Sequence, residues 1–157
     1  MSSPPRSILF VCSGNICRSP AAEAVLRALL PAGSAEVDSA GTGSWHVGAR
    51  AHRHSIAEGE RRGYALTGRA RQVEGVDFER FELLVGMDSG HLRELRRRQP
   101  AGSSAEIALF RDLDPASARG LDLVDPYDLP ASDYARMYDV IEPTCAALAC
   151  VIVHGIS

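Results

Sequence analysis

The chain of 157 residues contains no lysine; all 17 of its basic residues are arginine. With its many alanines, this reads as the codon bias of a GC-rich genome rather than a selected cationic surface. Positive charge is not in excess either. Twenty acidic side chains leave a net charge of −3 and a pI near 5.9, which speaks against nucleic acid or an anionic membrane as a partner. Cysteine is sparse, at positions 12, 17, 145 and 150 only. That is too few for a secreted disulfide scaffold, and no pair has zinc-ligand spacing. Free thiols in the cytoplasm are the better reading. No segment approaches the roughly 20 apolar residues of a membrane span, and the apolar run after Arg6 is too short for a signal peptide. The five histidines (46, 52, 54, 91 and 154) form no metal-binding pattern, and most read as solvated. No metal or cofactor is expected.

What is present is ordinary for a soluble globular domain: 45% hydrophobic and 24% charged residues. The length fits one domain over residues 1–157, with 1–7 as a frayed polar lead. Ile8 to Cys12 is a continuous apolar run of the kind seen in a buried parallel strand. Ser19-Pro20 then opens a helix, Ser as N-cap and Pro in the first turn, with Glu23 and Arg27 on its outer face. A second strand is expected over 35–40, followed by a glycine-rich loop carrying Trp45 and a polar helix over 51–63. Phe81 to Met87 reads as a third strand, Asp88 to Arg98 as a helix, and 106–110 as a fourth strand. Residues 111–131 form a long loop rich in Pro and Asp, a length that is usually functional or disordered. A last helix runs from about Ser132 to Val153, kinked at Pro143, with Cys145 and Cys150 as small core residues. Alternating strands and helices imply a three-layer α/β/α fold around a central four-stranded parallel sheet. Ligands bind such folds at the carboxyl ends of the strands, where Cys12 lies.

The segment from Cys12 to Pro20, between strand and helix, carries the chemistry. A bound phosphate dianion needs several donors. A tight loop of Ser13, Gly14, Asn15, Ile16 and Cys17 can turn successive N–H groups inward as an anion nest. Gly14 and Asn15 are residue types that tolerate a positive φ. The helix N-terminus adds its unpaired N–H groups and its dipole. Arg18 can grip two phosphate oxygens at once, as a lysine cannot. A field of this kind favours thiolate over thiol, so Cys12 reads as a nucleophile beneath the phosphate, with the Ser19 hydroxyl in reach of it. Expelling a phenolate, from an alcohol of pKa near 10, calls for a general acid. Asp125-Pro126-Tyr127 and Asp114-Pro115 both offer an aspartate fixed by a proline.

At this point the residues resemble a known family, the low-molecular-weight protein tyrosine phosphatases. Cys12 to Pro20 matches its phosphate loop; Ser39 to Trp45 is similar to its second-strand end and aromatic loop. Arg69-Ala70-Arg71-Gln72, Met87-Asp88 and Asp125-Pro126-Tyr127 match further segments. The resemblance selects Asp125 over Asp114 as acid and later base. It implies Cys12 as nucleophile, Arg18 as phosphate clamp, and Asn15, Ser19 and Ser39 as supports of the loop. Trp45 and Tyr127 would line a cleft deep enough for phosphotyrosine but too deep for phosphoserine. Cys17 would be a vicinal thiol able to form a disulfide with Cys12. Phosphotyrosine proteins would be the substrates, and phosphate or other oxyanions the inhibitors. Two departures stand out: many members carry His where this chain has Gly68, and Asp128 stands where animal members have a second tyrosine. Related arsenate reductases relay electrons through two further cysteines on a mobile segment, and residues 70–95 hold none. Protein-arginine phosphatases favour Thr at the place of Ile16 and Phe at that of Tyr127. A non-enzymatic phosphotyrosine-binding module would be expected to lack the nucleophile or the acid.

Overall fold

Alternation along the first strand decides the architecture. In the computed structural model, which describes residues 3–155, β1 (Ser7–Cys12) is buried along its whole length. Ile8, Phe10 and Cys12 face one hydrophobic cluster, and Leu9 and Val11 face another. A strand buried on both faces has to be apolar throughout, which is why Ile8 to Val11 shows no polar alternation.

β1 pairs in parallel with β2 (Glu36–Gly41) on one side and with β3 (Leu83–Gly86) on the other; β4 (Glu106–Leu109) adds to β3. The sheet is four-stranded and parallel, as expected, and its strand order is β2-β1-β3-β4. Helices α1 (Arg18–Leu29), α2 (Arg53–Arg61) and α5 (Ala131–His154) form the layer over Ile8 and Phe10; α4 (Ser89–Arg98) packs on β3 and β4 on the other side. A short α3 (Asp77–Arg80) puts Phe78 into the second cluster. β1 therefore feeds a helix on one face of the sheet and β3 feeds one on the opposite face. The crevice between their carboxyl ends is the switch point at which ligands bind in open α/β sheets.

Several expectations are corrected. Residues 1–7 are not a frayed lead over their described part: Pro5 is buried, Arg6 N donates to Glu82 Oε1 and Ser7 already belongs to β1; Met1 and Ser2 lie outside the described residues. The helix expected over 51–63 is α2, shorter at both ends, and α3 and a 3₁₀ turn at Phe110–Leu113 were not anticipated. Cys150 is exposed; only Cys145 of that pair is in the core. Pro143 lies inside α5, as expected. By length and composition alone this helix could cross a membrane, with a mean hydropathy of 1.3 over its most apolar stretch. Its buried side chains, among them Tyr134, Met137, Tyr138 and Ile141, are instead part of the core beside α1.

Leu9 is fully buried on the sheet face away from α5. Leu9→Ala is expected to cost about 2–5 kcal/mol through lost transfer energy and a residual cavity, read as a lower urea midpoint with an unchanged slope.

Candidate active site

The loop between β1 and α1 is held from outside by its carbonyl groups. Thr42 N donates to Cys12 O (2.8 Å), Gly43 N to Ser13 O (3.0 Å), His52 N to Ile16 O (2.8 Å) and Ser55 Oγ to Cys17 O (3.0 Å). Among the described residues, the N–H groups of residues 13–17 donate to no protein acceptor. With carbonyls tied outward and amides left over beside a helix N-terminus, the loop has the makings of an anion nest.

Two residues make the tight turn possible, for different reasons. Asn15 has a φ of 58°, in the left-handed region that asparagine tolerates. Gly14 does not share that conformation; a Cβ there would lie 2.7 Å from His46 Cδ2, so a side chain at this position would have to displace the His46 ring.

The Asn15 side chain is the centre of a buried network. Its Nδ2 donates to Ser19 Oγ (2.8 Å) and to Ser39 Oγ (3.0 Å), and its Oδ1 accepts from Arg71 N (3.0 Å). Ser39 in turn donates to Glu23 Oε1 (2.6 Å). Ser19 Oγ lies 2.9 Å from Cys12 Sγ and 3.4 Å from Ala40 O. Because Ser19 already accepts from Asn15, its own proton is free for the nearer sulfur. Ser19 is thus a donor to Cys12 and not the helix cap expected; Cys17 occupies the cap position without a side-chain bond. Glu23 is not on a solvated face either. Burial, partly offset by Ser39 and Arg27, raises its pKa. Asn15 is fully bonded by Ser19, Ser39 and Arg71, so Gly68 leaves the loop supported; it lines a cavity of about 210 Å³ behind Asn15.

Arg18 is buried. Its Nη1 donates to Asp88 Oδ2 (2.9 Å) and to Leu123 O (2.8 Å), while Nη2 lies 3.6 Å from Asp125 Oδ2. One nitrogen is therefore anchored at the end of β3 and in the 111–131 loop, and the other faces the aspartate. Asp125 is half exposed and its Oδ1 accepts from Tyr127 N (3.1 Å), a local turn that fixes the carboxylate.

Cys12, Ser13, Gly14, Ile16, Cys17 and Arg18 line one cleft of about 180 Å³, and Asp125, Tyr127 and Trp45 close its sides. Asn15 and Ser19 stand behind it. Trp45 is 72% and Tyr127 44% exposed, so both are rims with apolar faces rather than covered core. Asp114 is absent from the cleft lining. Cys17 is buried with its Sγ 3.4 Å from Tyr134 OH, and burial pushes its thiol up to about 12.

Two histidines in the site were not picked out from the sequence. His46 lies at the mouth, its ring 6.1 Å from that of Tyr127. His91 is buried, not solvated. Its Nδ1 accepts from Asp88 N (3.2 Å), while His91 N donates to Asp88 Oδ1 (3.1 Å), a reciprocal capping box that starts α4. With Nδ1 accepting, the ring proton sits on Nε2 and is donated to Ser13 Oγ (2.8 Å). An aspartate followed three positions on by histidine, straight after a strand, was the signal available. Burial lowers His91 to about 4. Burial also works against the Asp88 carboxylate, but its bonds with His91 and Arg18 outweigh that and hold its pKa below the usual value.

The Low molecular weight phosphotyrosine protein phosphatase family model matches residues 7–154. A Low molecular weight protein-tyrosine-phosphatase of Streptomyces coelicolor is 41% identical over 151 residues, covering 92% of each chain. Low molecular weight phosphotyrosine protein phosphatase 1 of Drosophila melanogaster is 38% identical, over 90% of this chain and 94% of its own. Among solved structures, the protein tyrosine phosphatase of Entamoeba histolytica with Hepes in its active site superposes with a TM-score of 0.88 at 33% identity, over 95% of this chain and 97% of that one. Vibrio vulnificus Wzb in complex with benzylphosphonate gives 0.81 at 28% identity, over 92% and 97%.

The lowered His91 pKa has a consequence for stability. Between about 4 and its ordinary value near 6.5, the unfolded chain binds a proton at this position that the folded chain does not. Stability therefore rises with pH through that window and is lost as pH falls through it. The His91 share is up to about 3 kcal/mol. His91→Gln is expected to flatten the dependence of the urea midpoint on pH over this interval; an unchanged slope would show that His91 is not the group responsible.

Proposed function

Since the chain belongs to the low-molecular-weight phosphotyrosine protein phosphatase family, we propose that it hydrolyses protein phosphotyrosine through a phosphocysteine on Cys12, with Arg18 gripping the phosphate and Asp125 as general acid and then base. The observation that carries this reading is the single cleft of about 180 Å³ that Cys12, Arg18 and Asp125 share. The phosphate dianion sits over the free loop amides and against Arg18. Cys12 sulfur attacks phosphorus as the bond to the aryl oxygen breaks, and Asp125 gives that oxygen its proton. Asp125, now a carboxylate, takes a proton from water; the water oxygen attacks phosphorus, the P–S bond breaks and orthophosphate leaves. No metal or cofactor enters the scheme.

Ile16 on the floor and the rings of Trp45 and Tyr127 at the rim offer apolar surface to a phenyl ring, which favours phosphotyrosine over phosphoserine. Orthophosphate and other tetrahedral oxyanions are competitive inhibitors in this reading, because they satisfy the same donors. The four free cysteines support a cytoplasmic setting. Cys17, kept as a thiol by burial and lining the same cleft, is the thiol that would condense with an oxidised Cys12.

The test is the dependence on leaving group. Asp125→Ala is expected to lose roughly 10²–10⁴-fold in kcat on phenyl phosphate and much less on aryl esters with acidic leaving groups, which need no proton. The parent enzyme should turn over phosphotyrosine well ahead of phosphoserine, phosphoarginine and arsenate. An equal loss on every ester would reduce Asp125 to a structural role.

A further inference from the structure

A second cavity, of about 220 Å³, lies on the other side of the loop that carries Asp125. Leu123, Val124 and Pro126 of that loop line it from one side, Met137 and Val140 of α5 from another, and Arg111 of the 3₁₀ turn closes it. Its lining is mainly apolar, and its size exceeds the roughly 150 Å³ that admits a benzene ring. Val124 is 70% exposed, an apolar side chain at the edge of the cavity that the fold leaves in water.

Arg111 is the unusual member. Its Nε is buried and has no hydrogen-bond partner among the described residues. A buried donor on a charged group without an acceptor is costly. The carboxylate lining the cavity, Asp133, is engaged by Arg136 at 3.2 Å. The same burial closes Nε to the cavity, so the guanidinium meets an occupant through its Nη atoms, which no carboxylate or carbonyl engages among the described residues.

We propose that this cavity is a binding site, separate from the catalytic cleft, for a small free carboxylic acid with an aryl or alkyl body. The carboxylate pairs with Arg111, and the apolar part lies between Met137, Val140 and the back of the loop at Leu123 to Pro126. The site bears on the catalytic cleft through one hydrogen bond, from Arg18 to Leu123 O, and through the chain itself, in which Asp125 follows Val124 and precedes Pro126. The inference does not depend on the reaction assigned to Cys12.

Phenylacetate is a suitable probe, with 2-phenylethanol as its neutral counterpart, followed by methyl NMR on the full chain. Phenylacetate is expected to shift the methyl groups of Val124, Met137 and Val140 saturably. The alcohol is expected to bind about tenfold or more weakly, the worth of a charge-assisted hydrogen bond. Arg111→Met should remove the same factor, and Val140→Phe should abolish binding by filling the cavity. Shifts at Ile16 alone would place the acid in the catalytic cleft and overturn the proposal. So would equal affinity for acid and alcohol, undiminished affinity in Arg111→Met, or the absence of any saturable shift. Should Arg111→Met fail to fold, the acid–alcohol comparison on the parent chain decides alone.

Discussion

One hydroxyl group connects the fold to the chemistry: Ser19 Oγ, which takes a hydrogen bond from Asn15 and lies 2.9 Å from Cys12 Sγ. The Asn15 amide donates in two directions, toward Ser19 and Cys12 on one side and toward Ser39 and Glu23 on the other. Both ends of that chain are acceptors, a carboxylate and a sulfur, so every donor in it is directed outward from Asn15. The last donor on the Ser19 side is aimed at the Cys12 sulfur. The strained backbone at Asn15, with its positive φ, is sustained because Arg71 N, Ser19 and Ser39 together fix the side chain.

The sheet topology explains why the remaining groups arrive at the same place. β1 and β3 are neighbours whose following helices lie on opposite faces, so their ends open onto one crevice. The end of β1 supplies the loop and Arg18. The end of β3 supplies Asp88, which holds Arg18, and His91, which holds Ser13. The long loop before α5 supplies the Leu123 carbonyl to Arg18 and brings Asp125 to the other guanidinium nitrogen. Arg18 is therefore held from both the sheet and the loop, and its orientation does not depend on a bound anion.

Much of this was legible beforehand because it is local. The apolar run Ile8 to Val11, the spacing from Cys12 to Arg18 and the long loop with Asp125 are patterns within short windows. The parallel sheet followed from their alternation. What was misread depends on contacts distant in sequence. Ser19 before a proline was expected both to cap the helix and to reach Cys12; the contact with Cys12 is there, but the cap is not, because Asn15 and Cys12 occupy the hydroxyl. Gly14 looks like a residue chosen for a positive φ, yet its φ is not positive and its near neighbour is the movable ring of His46. Glu23 falls on the polar side of α1 by periodicity, but Ser39 from β2 covers it. His91 reads as one polar residue of an amphipathic helix until β1's loop is placed against its Nε2. Cys150, assigned to the core by composition, falls on the exposed side of α5.

The central claim is that Cys12 carries the phosphoryl group between substrate and water. It is tested most directly by acid-quenching the enzyme during turnover of phosphotyrosine and locating the phosphate by mass spectrometry and ³¹P NMR. The account predicts a phosphothioester on Cys12 that is absent from Cys12→Ser, although that variant still binds orthophosphate. Phosphate found on any other residue, or a Cys12→Ser variant that retains turnover, would contradict it.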